Sequence, residues 1–91
     1  MSKNQEGKSL EKLRSRIDEL DSELLELLNE RAKCVIKIGK IKQKENKGVL
    51  VPLREKELLD HLRTVNKGPM TDEMVMYLFQ QIIDTLKDLQ K

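Results

Sequence analysis

The stretch SLEKLRSRIDELDSELLELLNERAKCVIKIGKIK, residues 9–42, decides the fold. Its apolar positions are Leu10, Leu13, Ile17, Leu20, Leu24 and Leu27, then, past Arg31, Cys34, Ile38 and Ile41. The gaps alternate between three and four residues without a break, the heptad signature of a helix with one continuous seam. No proline precedes Pro52, so the pattern predicts one helix from Ser9 to Lys44, about 50 Å long at the usual rise per residue. Ser9 can cap it, with Lys12 rather than an acid at the third position, so the cap lacks a capping box. Residues 1–8 hold no apolar side chain after Met1 and are expected to fray. Asn46 and Gly48 supply the stop chemistry at the other end.

Working outward, Pro52 stands where a second helix begins, because its missing N–H costs nothing there. Leu58, Leu59, Leu62 and Val65 follow at helical spacing, up to the turn Asn66-Lys67-Gly68-Pro69. Thr71 is placed to cap a third helix, with Asp72 and Glu73 in a first turn that favours acids. Met70 and Val75 have the spacing of a hydrophobic staple. Val75, Leu78, Phe79, Ile82, Ile83, Leu86 and Leu89 then carry an apolar face to the chain end. The expected fold is all-α, with a very long, a short and a medium helix.

Composition agrees and narrows the function. With 91 residues the chain is expected to be a single domain, 1–91. Charged and hydrophobic residues each make up 37%, and Tyr77 and Phe79 are the two aromatics, too few for an all-β core. They also give no stacking platform for single strands, and a net charge of +2 gives no field toward nucleic acid. One cysteine, Cys34, cannot close an internal disulfide, and with one histidine, His61, it makes no zinc site. Cys34 reads as a small seam residue rather than a nucleophile, since no histidine is near it in sequence. The polar start MSKNQEGKS has no apolar signal core, and no segment has the apolar length of a membrane span. The expected location is the cytoplasm.

Helices two and three, about 20 and 30 Å long, cannot cover a first helix of about 50 Å. Beside the seam runs a second apolar stripe, Leu25, Leu28, Ala32 and Val35. So wide an apolar arc needs more neighbours than one chain supplies, which points to a homodimer with the first helices paired across a twofold axis.

Charges stand where carbon is expected. Arg31 interrupts a seam that is apolar at its nine other positions, and the residues three and four away are Leu27, Leu28, Cys34 and Val35. A surface arginine could cover apolar area with its stem. A buried one without an acid costs several kcal/mol, so it calls for an anion. Lys42 lies eleven residues on, about 20° round the helix and about 16 Å along it. Together they could bracket a small anion, although a lysine near a helix C-terminus is also ordinary dipole chemistry. Between them Gly39 would let a ligand or another backbone approach closely. Arg14 is about 25 Å from Arg31 on the same helix, too far for one small ligand, unless an antiparallel partner brings it alongside. Its bland alternative is a pair with Asp18, four residues on. Glu55 projects with Leu59 and Leu62 and has Leu58 and Leu59, not a cation, three and four residues ahead. Gln90 shares a stripe with Phe79, Ile83 and Leu86, one residue from the chain end.

Three stretches, LRSRIDELDSELLELLNERAKCVIKIGKIK, VPLREKELL and GPMTDEMVMYLFQQIID, in this order and at these distances, resemble the all-helical chorismate mutases of the AroQ class. The resemblance covers Leu10 to Gln90, nearly the whole chain. It implies an intertwined homodimer whose two active sites each take one arginine from the partner chain. By motif, Arg14 resembles that arginine, and Arg31 the one holding a substrate carboxylate in its own chain. Lys42 resembles the lysine on a carboxylate and the ether oxygen, Glu55 the acceptor of the ring hydroxyl, and Gln90 the donor to the ether oxygen. Arg54 matches an arginine near the ring with an organising role. Val51 stands where some members have an aspartate whose backbone contacts substrate, so only a backbone role carries over. Leu86 stands where some members offer a serine hydroxyl to a carboxylate, and a leucine has no such donor.

The implied reaction is the [3,3] rearrangement of the dicarboxylate chorismate to prephenate, on the route to phenylalanine and tyrosine. It needs no covalent intermediate, metal or cofactor. An enzyme assists by holding the reactive conformer and by stabilising charge on the ether oxygen. Three other readings share these residues: an isochorismate-pyruvate lyase on the same fold, a noncatalytic dimerisation or regulatory module of a fused enzyme, and a plain coiled coil. The pair Glu55 and Gln90 favours the mutase.

Overall fold

The computed structural model describes residues 3–45 and 51–90. They form α1 (Lys3–Glu45), α2 (Val51–Val65), α3 (Asp72–Lys87) and a closing 3-10 turn, Asp88–Gln90. Among the described residues there is no strand, and the three helices are very long, short and medium in the expected order. α1 starts six residues ahead of Ser9, which is therefore an interior residue and not a cap. Gly7 is the one poor helix former between Gln5 and Ser9, at about 1 kcal/mol, and Glu6 suits the positive end of the dipole. The stop signal at Asn46 and Gly48 falls outside the described residues.

The chain divides into two compact units, Met1–Lys33 and Cys34–Lys91. The described residues of the first are helix alone. Within it Leu10, Leu13, Ile17, Leu20, Leu24, Leu25 and Leu27 are all between 44% and 63% exposed. A lone helix is marginal in water, and most helical stability comes from packing an apolar face. This unit therefore has the sequence of a packed helix and the exposure of an unpacked one.

In the second unit α2 packs against α3. Val75 and Ile83 on α3 are buried, with Leu58, Leu59, Leu62, Phe79, Ile82 and Leu86 half-buried around them. Leu78, Leu89 and Val65, expected on the same faces, are exposed. Leu78 lies at the margin of the arc centred on Phe79 and Leu86, so α2 does not reach it.

The connection between α2 and α3 is organised by one side chain. Asn66 Nδ2 donates to Met70 O at 2.9 Å and to Asp72 Oδ1 at 3.0 Å, while its Oδ1 accepts from Gly68 N at 3.1 Å. Gly68 takes φ +77°, a left-handed conformation in which glycine has no Cβ penalty. Thr71 is the cap of α3, as expected, and its hydroxyl accepts from Met74 N at 3.2 Å. Truncating Thr71 to alanine removes one such bond and is expected to lower stability by about 1 kcal/mol. Asn66→Ala removes three and should lower it more, by about 2 kcal/mol. Urea unfolding at one fixed protein concentration checks the order, which fails if Thr71→Ala is the more damaging change.

Candidate active site

Burial along α1 follows one stripe. In the first unit Leu28, Arg31 and Ala32 are half-buried; in the second, Val35 and Lys42 are half-buried and Gly39 is buried. These positions recur at three, four and seven residues, a single face of a helix. The seam residues Cys34, Ile38 and Ile41 are exposed instead. Arg31 thus belongs with the covered stripe rather than with the open seam, whose edge it shares.

Arg31 and Lys42 are half-buried, and every other basic side chain whose burial is described is exposed. Neither of the two has an ion-pair or hydrogen-bond partner among the described residues. Elsewhere cations do find acids: Arg16 with Glu19 at 3.1 Å, Lys56 with Asp60 at 2.8 Å, and Arg63 with Asp60 at 3.7 Å. The hydrogen bond from Lys56, assisted by Arg63, also lowers the Asp60 pKa below its usual 3.8. Withdrawing a cation from water without a counter-ion is unfavourable, so each of these two side chains, taken by itself, would gain from an anion.

Arg14 is exposed and likewise has no partner among the described residues; the local pair with Asp18 is not formed. It and Arg31 lie seventeen residues apart on the unbroken α1, about 25 Å, so one chain cannot bring both to one small molecule. Val51 is the first residue of α2, where a backbone N–H has no acceptor within its own helix. Arg54 is 72% exposed and 4.0 Å from Glu57.

Glu55 and Gln90 sit in the second unit with better-defined surroundings. The Glu55 side chain is 20% exposed and its Oε1 is shut off from solvent. Lys87 Nζ, from the last turn of α3, approaches that oxygen at 2.6 Å. The angles are outside those of an aligned hydrogen bond, so the contact is an ion pair of a near-buried carboxylate with a half-exposed ammonium. The close carboxylate of Glu55 raises the Lys87 pKa above its usual 10.5, with a smaller effect from Asp84 at 3.8 Å. The ammonium is therefore charged at neutral pH, and its pairing weakens only as pH rises past that raised value.

Gln90 is half-buried rather than frayed, because its backbone rests on Gly39. A Cβ at position 39 would lie 2.7 Å from Gln90 O and 2.8 Å from its Cα. Of the two uses open to Gly39, a ligand or a backbone, the chain's own backbone takes the place. A depression lined by Lys8, Glu11, Lys12, Ser15 and Glu19 lies along one helix only and contains none of these residues. Among the described residues there is no metal-binding cluster of His, Cys, Asp and Glu, and no helix long and apolar enough to cross a membrane.

A family model described as chorismate mutase type II matches residues 13–91. The chain belongs to that family. It is 40% identical over 86 residues to a bifunctional chorismate mutase/prephenate dehydratase of Aquifex aeolicus, covering 90% of this chain and 24% of that protein. It therefore spans about a quarter of the bifunctional relatives it matches. A chorismate mutase of Methanocaldococcus jannaschii is 34% identical over 83 residues, covering 90% of this chain and 84% of that protein. Among solved structures, the Form II chorismate mutase of Thermus thermophilus is similar with a TM-score of 0.87. It is 34% identical over 90% of this chain and 93% of that one. Chorismate mutase from Helicobacter pylori in complex with prephenate has a TM-score of 0.82 at 31% identity, covering 91% of this chain and 90% of that one.

Sequence reasoning overlooked Lys87 as a neighbour of Glu55. The signal was present: Lys87 lies four residues after the buried Ile83, a charge on the core stripe by the same logic that singled out Arg31. The glycines offer a contrast that tests the Gly39 contact. Gly39→Ala drives a methyl into backbone and should lower stability by about 1–3 kcal/mol. Gly7→Ala, with nothing within 4 Å of the new methyl, should raise it by up to about 1 kcal/mol. Unfolding midpoints that move the same way in both variants would contradict the contact.

Proposed function

We propose that residues 1–91 act as one chorismate mutase domain, an isomerase that rearranges chorismate to prephenate for phenylalanine and tyrosine synthesis in the cytoplasm. The observation that carries the reading is the pair of half-buried cations, Arg31 and Lys42, without an acid among the described residues in a member of this family. Chorismate is a dicarboxylate, and guanidinium and ammonium groups are suited to carboxylates by geometry and charge.

The site works as a homodimer. The exposed leucine seam of α1 is the surface a second copy covers, and pairing the long helices in opposite directions brings Arg14 of one chain beside the site of the other. Arg14 from the partner and Arg31 hold carboxylates. Lys42 binds a carboxylate and donates to the ether oxygen, and Gln90 donates to the same oxygen from the other side. Glu55 accepts the ring hydroxyl, Arg54 lies near the ring, and the Val51 backbone N–H contributes at the helix start. Leu86 offers no hydroxyl, so one carboxylate contact of some relatives is absent.

Rate acceleration comes from two sources. Fixing both arms of the substrate selects the conformer in which the new carbon–carbon bond can form as the carbon–oxygen bond breaks. Negative charge gathers on the ether oxygen in the transition state, so donors there bind the transition state more tightly than the ground state.

Arg14→Ala and Arg31→Ala should each lower kcat/KM for chorismate by about 100-fold or more. Mixing the two after unfolding and refolding together should restore activity, since a heterodimer regains one intact site. No recovery despite demonstrated exchange would contradict Arg14 acting from the partner. The same assay with isochorismate separates mutase from lyase.

Glutamine donates at any ordinary pH, so turnover should be flat between about pH 6 and 8. Gln90→Glu must be protonated to donate, which should move activity to acid pH and suppress it at neutrality. An unshifted profile in that variant would remove Gln90 from the ether oxygen.

A further inference from the structure

We infer that Lys87 is a positioning residue for Glu55: it occupies Oε1 of that carboxylate and so presents Oε2 as the acceptor for the substrate's ring hydroxyl. The inference rests on the mutase reading for the identity of the hydroxyl, and on the structure alone for the pairing.

Glu55 Oε1 has no solvent and no aligned hydrogen-bond donor, and α2 offers it no cation at the third or fourth position ahead. A carboxylate oxygen removed from water is costly unless positive charge or donors face it. Lys87 Nζ at 2.6 Å is the group that meets this need. The groups facing the pair are few. Asp84, one turn back on α3, lies 3.8 Å from Nζ and adds a second negative charge beside the ammonium. On α2 the cations nearest in sequence are turned elsewhere, Arg54 toward Glu57 and Lys56 toward Asp60. No hydrogen bond between the described residues uses Oε2, and with the ammonium closest to Oε1 it is Oε2 that we assign to a ligand.

The placement also couples two parts of the site. Lys87 ends α3, and Gln90 follows three residues later in the 3-10 turn seated on Gly39. The contact with Glu55 therefore ties the hydroxyl acceptor on α2 to the segment that carries the ether-oxygen donor. A lysine is suited to this work because its flexible stem places a point charge from a half-exposed position while the carboxylate stays inside.

The experiment compares the wild type, Lys87→Met, Lys87→Arg and Glu55→Gln on chorismate and on an analogue with hydrogen in place of the ring hydroxyl. The hydroxyl does not react, so an acceptor for it binds ground and transition states alike. Lys87→Met should raise KM for chorismate about three- to tenfold with kcat nearly unchanged, and Lys87→Arg should restore KM to within about twofold. On the analogue, Lys87→Met and wild type should differ by less than about twofold, because nothing is present for Oε2 to accept. Equal losses on both substrates, or no loss on chorismate, would overturn the inference. If the wild type turns over neither compound the mutase reading fails, and the pairing is judged by unfolding. Lys87→Met should lower the urea midpoint, and adding Glu55→Gln should bring it back by removing the bare carboxylate. Additive losses would overturn the pairing itself.

Discussion

Two positive charges, Arg31 and Lys42, sit half-covered on one stripe of a helix that gives them no acid. For folding alone this is a poor arrangement. Apolar residues of similar volume at these positions would pack as well and would not lose hydration. The chain could have matched them with carboxylates, as it does for Arg16, Lys56 and Arg63. Retaining unpaired charge at a covered site makes sense when the missing counter-ion is a ligand. Under the proposed function the remaining roles are those a small dianion requires: a hydroxyl acceptor, a neutral donor and a further cation.

Within one chain Arg14 cannot be that further cation for a ligand held by Arg31. Arg14 and Arg31 are fixed about 25 Å apart by an unbroken helix. The same helix leaves its leucines from Leu10 to Leu27 half or more open to water. The proposed homodimer answers both facts with a second copy laid along the first. Such an association would stabilise a helix that is marginal alone and would carry Arg14 to the partner's site. In the proposed homodimer, folding of the long helix and assembly of the site would be one event.

Periodicity made the helices legible, since a run of three- and four-residue gaps without proline has no other regular solution. Thr71 announced its helix by chemistry, because a hydroxyl before Asp72 and Glu73 is a start signal whatever surrounds it. The amino-terminal boundary was less legible. Ser9 is a good cap, yet nothing upstream opposes helix strongly, so propensity alone did not fix where α1 begins. The placement of Arg31 was read one stripe off, because positions three and four apart both continue a helical face and only burial distinguishes them. Lys87 was missed for a related reason: the Glu55 partner comes from another helix, and no local spacing encodes a contact between α2 and α3.

Gly39 was recognised as a place of close approach, but not what would approach it. The answer, the backbone of Gln90, shows how a glycine acts at a distance in sequence. A side chain there would hold the closing turn away from α1, and any group the turn carries would move with it. Displacements of about 1 Å are costly where a donor must meet charge that develops on one atom. Gly39 on α1 receives the closing turn because it has no side chain, and Glu55 on α2 holds Lys87, just ahead of that turn, by opposite charge. The residues that follow a last helix are ordinarily among the loosest of a domain. Here two other helices hold them, which is the fixed placement that the proposed donor at residue 90 requires.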